Sequence, residues 1–277
     1  MLKSVLVLID KTPGGEAAQR LAVDVAKQHG AVVTAVSALN LDALTVPVGF
    51  FSETLAYSDI DRDEVIAARR DDLKQVCDAF VKRCEKAKLD FDVIESEGSV
   101  YAGVARAAMS HDLVVLGNDL NFGQVAMQND ASAVGLLLKH VPRPLLVAPP
   151  KLPTATDVVI AFDGSAPSAR ALQMFVLLGL AQGWTNRIVT VAKKRTLGDA
   201  IARDATLFLD RHGIRNSAHV IEGGEAPTDA ILNEVRRHET GMLVMGAYGH
   251  RGWREVILGS STNALLGYAD VPVFVDR

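Results

Sequence analysis

Residues 4–10 read SVLVLID, and residues 157–163 read DVVIAFD. Each segment is a short apolar run that ends in aspartate, which is the pattern of a buried parallel strand. A helical stretch follows each run, over Glu16–His29 in the first case and Ala166–Gln182 in the second. The sequence therefore starts the same structural unit twice.

The repeat continues through the rest of both halves. Further strands are predicted at Ala31–Ala38 and Arg187–Ala192, Phe91–Glu95 and His219–Glu222, Leu113–Gly117 and Met242–Gly246, and Pro142–Ala148 and Val271–Asp276, with helices at Tyr101–Ser110 and Pro227–His238. Alternating strands and helices favour an α/β fold with helices on both faces of a parallel sheet. We predict two tandem, doubly wound, five-stranded parallel sheets.

The two halves differ in length. Asp10 and Asp163 are further apart in the chain than Gly117 and Gly246, so the first half carries an insertion, which we place at Leu39–Asp63. The segment PPKLP, residues 149–153, is a proline-rich joint. The predicted domains therefore cover residues 1–150 and 154–277.

Composition excludes several classes of partner. The net charge is −4, so no overall field attracts nucleic acid or an anionic membrane, and neither partner is expected. No apolar run approaches the roughly 18 residues of a membrane span, and we expect a cytoplasmic protein.

Cys77 and Cys84 lie within the amphipathic stretch Arg62–Lys88, on one helix face but too far apart for a disulfide. They are expected to be small buried residues.

The loop after the fourth strand of the second half carries the candidate chemistry. It contains Gly246, Gly249, Gly259 and Ser260, and an apolar stretch that starts as a helix follows it. The backbone N–H groups and the dipole at a helix N-terminus suit phosphate, and glycine allows close approach. The alternative is that the glycines only shape a turn and that Ser260 is an ordinary cap.

The spacing Gly246-x2-Gly249-x9-Gly259-Ser260 resembles the ATP-binding signature of the universal stress protein family. The whole chain is similar to a tandem member of this family, whose fold is of the adenine nucleotide alpha hydrolase type. The resemblance implies that Asp163 lies beside the ribose and phosphates, with a possible Mg²⁺ ion, and that Val191 presents its backbone to adenine. The implied ATP-binding set is Ala161, Phe162, Asp163, Val191, Met245, Gly246, Tyr248, Gly249, Arg251, Gly252, Gly259, Ser260, Ser261 and Thr262.

Two of these residues have another interpretation. Asp163 follows a strand and precedes a helix, so it could serve only as a helix cap, a task that Ser165 could share. Phe162 stands where small residues or proline are common in the family, and its ring is expected to narrow the adenine pocket.

The first half departs from the signature. Leu120 stands where the second half has Gly249, and Asp130 stands where it has Gly259. Residues 117–132 include Asp119 and Asp130 but no Lys or Arg, so this loop would repel a triphosphate. We predict a degenerate nucleotide site, with another ligand or a structural role as open alternatives, and Asp10 as a possible cap.

The leading hypothesis is therefore a stress-response or regulatory protein that holds ATP in its second half. The alternative is an interaction module whose nucleotide site stays empty. A true enzyme is less favoured, because residues 163–167, DGSAP, lack the histidine or lysine that related adenine-nucleotide enzymes use there, so at most slow ATP hydrolysis is expected. The seven histidines show no paired metal spacing.

Leu145–Ala148 and Val273–Val275 are expected to pair as an intrachain pseudo-dimer, and a homodimer of such chains is a further possibility.

Overall fold

The computed structural model describes residues 1–39, 59–97, 100–120, 133–224, 226–247, 265–267 and 269–277. Strands in these ranges are β1 (Ser4–Leu8), β2 (Val32–Leu39), β3 (Phe91–Glu97), β4 (Leu113–Gly117), β5 (Leu145–Ala148), β6 (Asp157–Ala161), β7 (Thr185–Ala192), β8 (Asn216–Glu222), β9 (Thr240–Gly246) and β10 (Val273–Asp276). Helices are α1 (Pro13–His29), α2 (Asp59–Ala87), α3 (Val100–Ala108), α4 (Ala133–His140), α5 (Ala166–Leu177), α6 (Arg195–Arg211) and α7 (Pro227–Arg237).

The predicted helix Ala166–Gln182 is too long, because α5 ends at Leu177. Gly179 adopts φ 85°, a left-handed conformation that glycine reaches without strain. Its N–H donates to the Val176 carbonyl at 2.9 Å, and the Leu180 N–H donates to the Phe175 carbonyl at 3.0 Å. This pair of bonds is a Schellman motif, which stops a helix and satisfies its last carbonyls.

The strands form one ten-stranded sheet in the order β3-β2-β1-β4-β5-β10-β9-β6-β7-β8. Within each half all pairs are parallel, and the halves meet where β5 and β10 pair antiparallel, with Leu146 opposite Phe274. The predicted α/β fold is confirmed, as is the intrachain pseudo-dimer. As described, the outer strands are β3 and β8, and the homodimer stays a prediction.

Each face of the sheet carries a hydrophobic core that continues across both halves. One core takes side chains from α1, α2, α5 and α6, and the other from α3, α4 and α7. The central strands are apolar on both faces, and every residue of β4 and β5 is buried. Such strands read as continuous Val and Leu runs rather than alternating ones.

The described side chains of helix α2 agree with the amphipathic prediction for Arg62–Lys88, and the helix ends at Ala87. It buries Val76, Phe80 and Cys84, which are spaced four residues apart and so share one face. The prediction that both cysteines are buried holds for Cys84 only, because Cys77 is half-buried, and both are free thiols. Of the predicted insertion, Leu39 ends β2 and residues 59–63 belong to α2, while residues 40–58 lie outside the described residues.

Strand order places the candidate ligand crevices. In the first half the chain runs from β1 outward to β2 and β3, and then returns to the other side of β1 with β4 and β5. The second half repeats this path with β6 at its centre. Ligands of doubly wound sheets bind beyond the strand carboxyl ends where the winding reverses, which here means between β1 and β4 and between β6 and β9. No described helix is long and apolar enough to cross a membrane.

Candidate functional site

The crevice of the second half is bounded by the ends of β6 and β9. Ala161, the last residue of β6, pairs with Met245, and Gly246 then ends β9. Asp163 follows β6 by two residues and is half-buried. The structure therefore brings four predicted site residues, from separate parts of the sequence, to the reversal point of the sheet.

The turn after β6 shows which residue caps α5. Ser165 is the N-cap of α5, and its side chain accepts a hydrogen bond from the Ser168 N–H at 3.3 Å. Asp163 Oδ1 accepts from the Ser165 N–H at 2.9 Å, across Gly164 at φ 74°. The capping task belongs to Ser165, and Asp163 shapes the turn that presents this helix end.

Gly246 is required by its contact with α5. A Cβ atom at this position would lie 2.3 Å from the Ser168 nitrogen and 2.4 Å from the Pro167 carbonyl carbon. Both neighbours are backbone atoms that a side chain could not displace cheaply. The end of β9 is therefore pressed against the N-terminus of α5, where the helix dipole favours negative charge.

Strand β7 extends past the end of its neighbour β6, and Val191 lies in this extension, which is unpaired on that side. The last paired residues are Ala161 and Val189, and the Val189 carbonyl accepts from the Phe162 N–H at 3.0 Å. Backbone groups two residues apart in a strand point to the same edge. The peptide groups of Val191 therefore face the space over the end of β6.

Thr190 and Phe162 stabilise the corner of the crevice, which is the place where the end of β7 meets the loop after β6. Thr190 is 0% exposed, and its hydroxyl donates to the Phe162 carbonyl at 2.8 Å, which ties β7 to the loop after β6. Phe162 is 6% exposed and belongs to the core beneath α5 and α6. Its ring thus packs into the protein interior. Sequence reasoning missed Thr190, whose signal is a hydroxyl within the otherwise apolar run of residues 188–192, IVTVA.

Asp276 is a second residue that sequence reasoning missed. It ends β10 directly beside Gly246, and its carbonyl accepts from the Ala247 N–H at 2.6 Å. Burial raises the pKa of its carboxyl, which is opposed by a hydrogen bond from the Arg277 N–H and by the charges of Arg170 and Arg277. The first half has the uncharged Ala148 at the end of the matching strand.

The phosphate side of the predicted site stays a prediction. Tyr248, Gly249, Arg251, Gly252, Gly259, Ser260, Ser261 and Thr262 lie outside the described residues. Asp130 of the first half also lies outside them. Among the residues that the structure does describe, no group of three or more His, Cys, Asp or Glu side chains is placed to hold a metal ion.

The crevice of the first half contains its own carboxylate. Asp119 Oδ2 accepts from the Gly14 N–H at 3.0 Å, in the first turn of α1. Its Oδ1 lies 2.8 Å from the hydroxyl of Thr12, the N-cap of α1, and Asp10 Oδ1 lies 2.6 Å from the same hydroxyl. Two acidic side chains therefore meet at the helix end.

This helix end shares with that of the second half a close glycine contact and an aspartate that holds the turn before the cap. A Cβ atom on Gly117 would lie 2.5 Å from the Gly14 carbonyl carbon and 2.6 Å from the Gly15 nitrogen. Asp10 accepts from the Thr12 N–H at 3.0 Å, so Thr12 is the cap and Asp10 holds the turn. Lys11, a nearby cation, is paired with Asp72 of α2 at 2.5 Å.

The sheet order and the two crevices define a tandem doubly wound α/β protein with one ligand crevice in each half. The universal stress protein family matches residues 1–149 and again residues 155–277. The chain belongs to this family, as a tandem member.

Individual relatives agree with this assignment. A universal stress protein of Synechocystis sp. is 29% identical over 168 residues, a match that covers 60% of this chain and 58% of that protein. The solved structure of a universal stress protein from Archaeoglobus fulgidus superimposes with a TM-score of 0.73 at 18% identity, over 99% of this chain and 98% of that one. A protein of unknown function from Pseudomonas aeruginosa gives a TM-score of 0.54 at 15% identity, over 99% and 92%. These two structural matches establish the fold of the whole chain.

Proposed function

We propose that the second half binds ATP or a closely related adenine nucleotide, one molecule per chain, and that the protein acts as a nucleotide-responsive regulator. The observation that carries the proposal is the joint geometry of Asp163, Val191 and Gly246 around one crevice. Members of the family often bind adenine nucleotides, so this crevice is the expected place for such a ligand.

Different residues would contact different parts of the nucleotide. The backbone of Val191 would pair with the adenine edge, since its peptide groups face the crevice rather than a neighbouring strand. Asp163 would lie beside the ribose and phosphates. The loop from Gly246 to Ser260 would then bring Gly249, Gly259 and Ser260 to the phosphates, with Arg251 balancing their charge.

Asp163 is also the residue that would hold a Mg²⁺ ion on the phosphates. Magnesium takes oxygen ligands, and proteins bind it through one or two carboxylates together with substrate phosphates. Asp163 Oδ1 already accepts the Ser165 N–H, which fixes the orientation of the carboxylate at the end of β6. The ion would reduce repulsion between this carboxylate and the phosphates.

Binding is tested first on the purified protein. Denaturation should release an adenine nucleotide in a ratio close to one per chain, and calorimetry on stripped protein with ATP and magnesium should show saturable binding. Replacement of Gly259 by valine should lower the affinity by at least about 100-fold, because the Cβ atom excludes close approach of phosphate.

The matched control is Asp130→Val, at the equivalent position of the first half. This variant should bind ATP like the unmodified chain. If the stripped protein gives no binding heat, the nucleotide proposal is wrong and the interaction-module hypothesis replaces it. Equal losses in Gly259→Val and Asp130→Val would contradict the assignment of the site to the second half.

We expect little turnover of the bound nucleotide. The segment that follows β6, residues 163–167, contains no histidine or lysine to act as a general base. Phosphate release from a stoichiometric complex should therefore be slow compared with typical turnover of about 10 per second. Rapid release in a single-turnover assay would contradict a purely binding role.

A further inference from the structure

A second cavity lies between the two halves, at the amino ends of the strands of the second half. Its volume is about 620 Å³, within the range of small-molecule sites. One wall is a stripe of α1, residues 21, 24, 25, 28 and 29, spaced as one helix face. The opposite wall comes from the segments before β6, β7 and β10 and from the start of β9. This position is at the other end of these strands from the nucleotide crevice.

The two halves differ at a position that borders this cavity. Asp112 of the first half and Gly241 of the second half are equivalent positions. Asp112 directly precedes Leu113, which pairs with Val5 of β1, and Gly241 directly precedes Met242, which pairs with Val158 of β6. In the first half the Asp112 carboxylate accepts from the Lys3 N–H at 2.8 Å and the Ser4 N–H at 3.0 Å. The second half has Gly241 at this position, and the Ala155 carbonyl and the Trp184 ring lie where a side chain would extend.

Trp184 forms the aromatic wall of the cavity. A Cβ atom on Gly241 would lie 2.6 Å from Trp184 Cζ3 and 2.3 Å from the Ala155 carbonyl oxygen, so the indole covers this glycine closely. Leu180 and Met242 extend the apolar surface beside the ring. An aromatic ring would stack or pack on such a surface, and the face of an indole also attracts cations.

The charge of the lining selects the ligand further. Among the described residues that line the cavity there is no lysine or arginine, and the one carboxylate is that of Asp24, an exposed side chain. Within the described part of the chain, no hydrogen bond or ion pair engages the Asp24 carboxylate. Burial and the nearby amino terminus lower the pKa of His29, which keeps this imidazole neutral at pH 7.

We propose that this cavity binds a small aromatic amine, with its ring against Trp184 and its ammonium group toward Asp24. The site is separate from the nucleotide crevice and does not depend on it. Because α1 belongs to the first half and Trp184 to the second, an occupant would contact both halves of the pseudo-dimer. The apolar lining would supply affinity, and the single carboxylate would supply selectivity for the cation.

Trp184 provides the reporter for the test. The chain has two tryptophans, so Trp253→Phe leaves Trp184 as the sole indole emission. Phenethylamine should change this emission saturably, and phenylacetate, which has a similar shape and the opposite charge, should bind at least about tenfold more weakly. Asp24→Asn should remove this preference, whereas Asp90→Asn, an exposed carboxylate outside the cavity, should retain it.

A filling variant completes the experiment. Gln28→Phe places a larger side chain on the α1 wall and should abolish the amine response, while Lys27→Phe, on the next position outside the cavity, should leave it intact. Absence of a saturable response to phenethylamine, equal affinity for amine and acid, or insensitivity to Asp24→Asn would each overturn the proposal. ATP added to the same reporter should give no competition with the amine, and competition would likewise contradict two separate sites.

Discussion

The same crevice is built twice in this protein, and the two sequences differ at the position from which a carboxylate reaches the helix N-terminus in the first half. In the first half, Asp119 binds the first turn of α1 through the Gly14 N–H. In the second half, Tyr248 holds the corresponding position, two residues after Gly246 as Asp119 is two residues after Gly117. A carboxylate of the chain can take the place of a phosphate at a helix dipole. The first crevice thus holds a carboxylate of the chain at its helix N-terminus, and the sequence of the second half has no carboxylate at the equivalent position.

The largest expected effect comes from transferring this feature to the second half. Tyr248→Asp introduces a carboxylate where the phosphates are proposed to bind, and it should lower ATP affinity by at least about 100-fold through repulsion and occupation of the helix end. Calorimetric titration measures the change. Tyr248→Phe is the matched control and should remain within about threefold of the original affinity.

The fold of both crevices could be predicted from the repeat, and part of the site could not. The apolar runs, the paired aspartates and the paired glycines located β1, β4, β6 and β9 because buried parallel strands leave a simple hydrophobic signal. The role of Asp119 left no such signal, since it depends on the approach of two loops that are about 100 residues apart in the chain. Sequence reasoning could state only that the acidic loop repels phosphate, whereas the structure shows where the carboxylate binds.

The same limit applies to contacts near the second crevice. Thr190 and Asp276 are placed by strand register, and register is a three-dimensional property that a strand pattern alone does not specify. The helix end at Leu177 was missed for a similar reason: Gly179 is one of several glycines, and only its positive φ shows that it terminates α5.

The next effect concerns the stability of the first half. Asp119→Asn removes a charged partner from the α1 N-terminus and should reduce the free energy of unfolding by about 2 kcal/mol. Denaturant unfolding measures the change, with Asp71→Asn on the exposed surface of α2 as control. ATP stoichiometry should stay at one per chain, because Leu120 and Asp130 remain. A variant as stable as the original would show that the Asp119 contact contributes nothing to the first half.

A smaller effect should follow from loosening the corner of the second crevice. Thr190→Val removes the hydroxyl that donates to the Phe162 carbonyl and should cost about 1.5 kcal/mol of stability, with ATP binding weakened a few-fold. The corresponding residue of the first half is Ser37, which is also buried but faces the thiol of Cys77. Ser37→Ala should cost less and leave ATP affinity unchanged. Equal effects on affinity would argue against a separate role for the second corner.

The smallest expected effect is a loss of unfolding free energy at alkaline pH that arises in the first half alone. Burial raises the pKa of the Cys84 thiol from 9.0 to about 11, and the second half contains no cysteine. Because the raised pKa belongs to the folded state, the stability from this thiol is fully present below pH 9 and is lost as the pH rises toward 11. At pH 10 the loss should be roughly 1 kcal/mol relative to pH 8. Cys84→Ala should show a flatter decline in unfolding free energy over this interval, whatever its stability at pH 8. An identical slope in both proteins would mean that Cys84 ionises as readily in the folded chain as in the unfolded one.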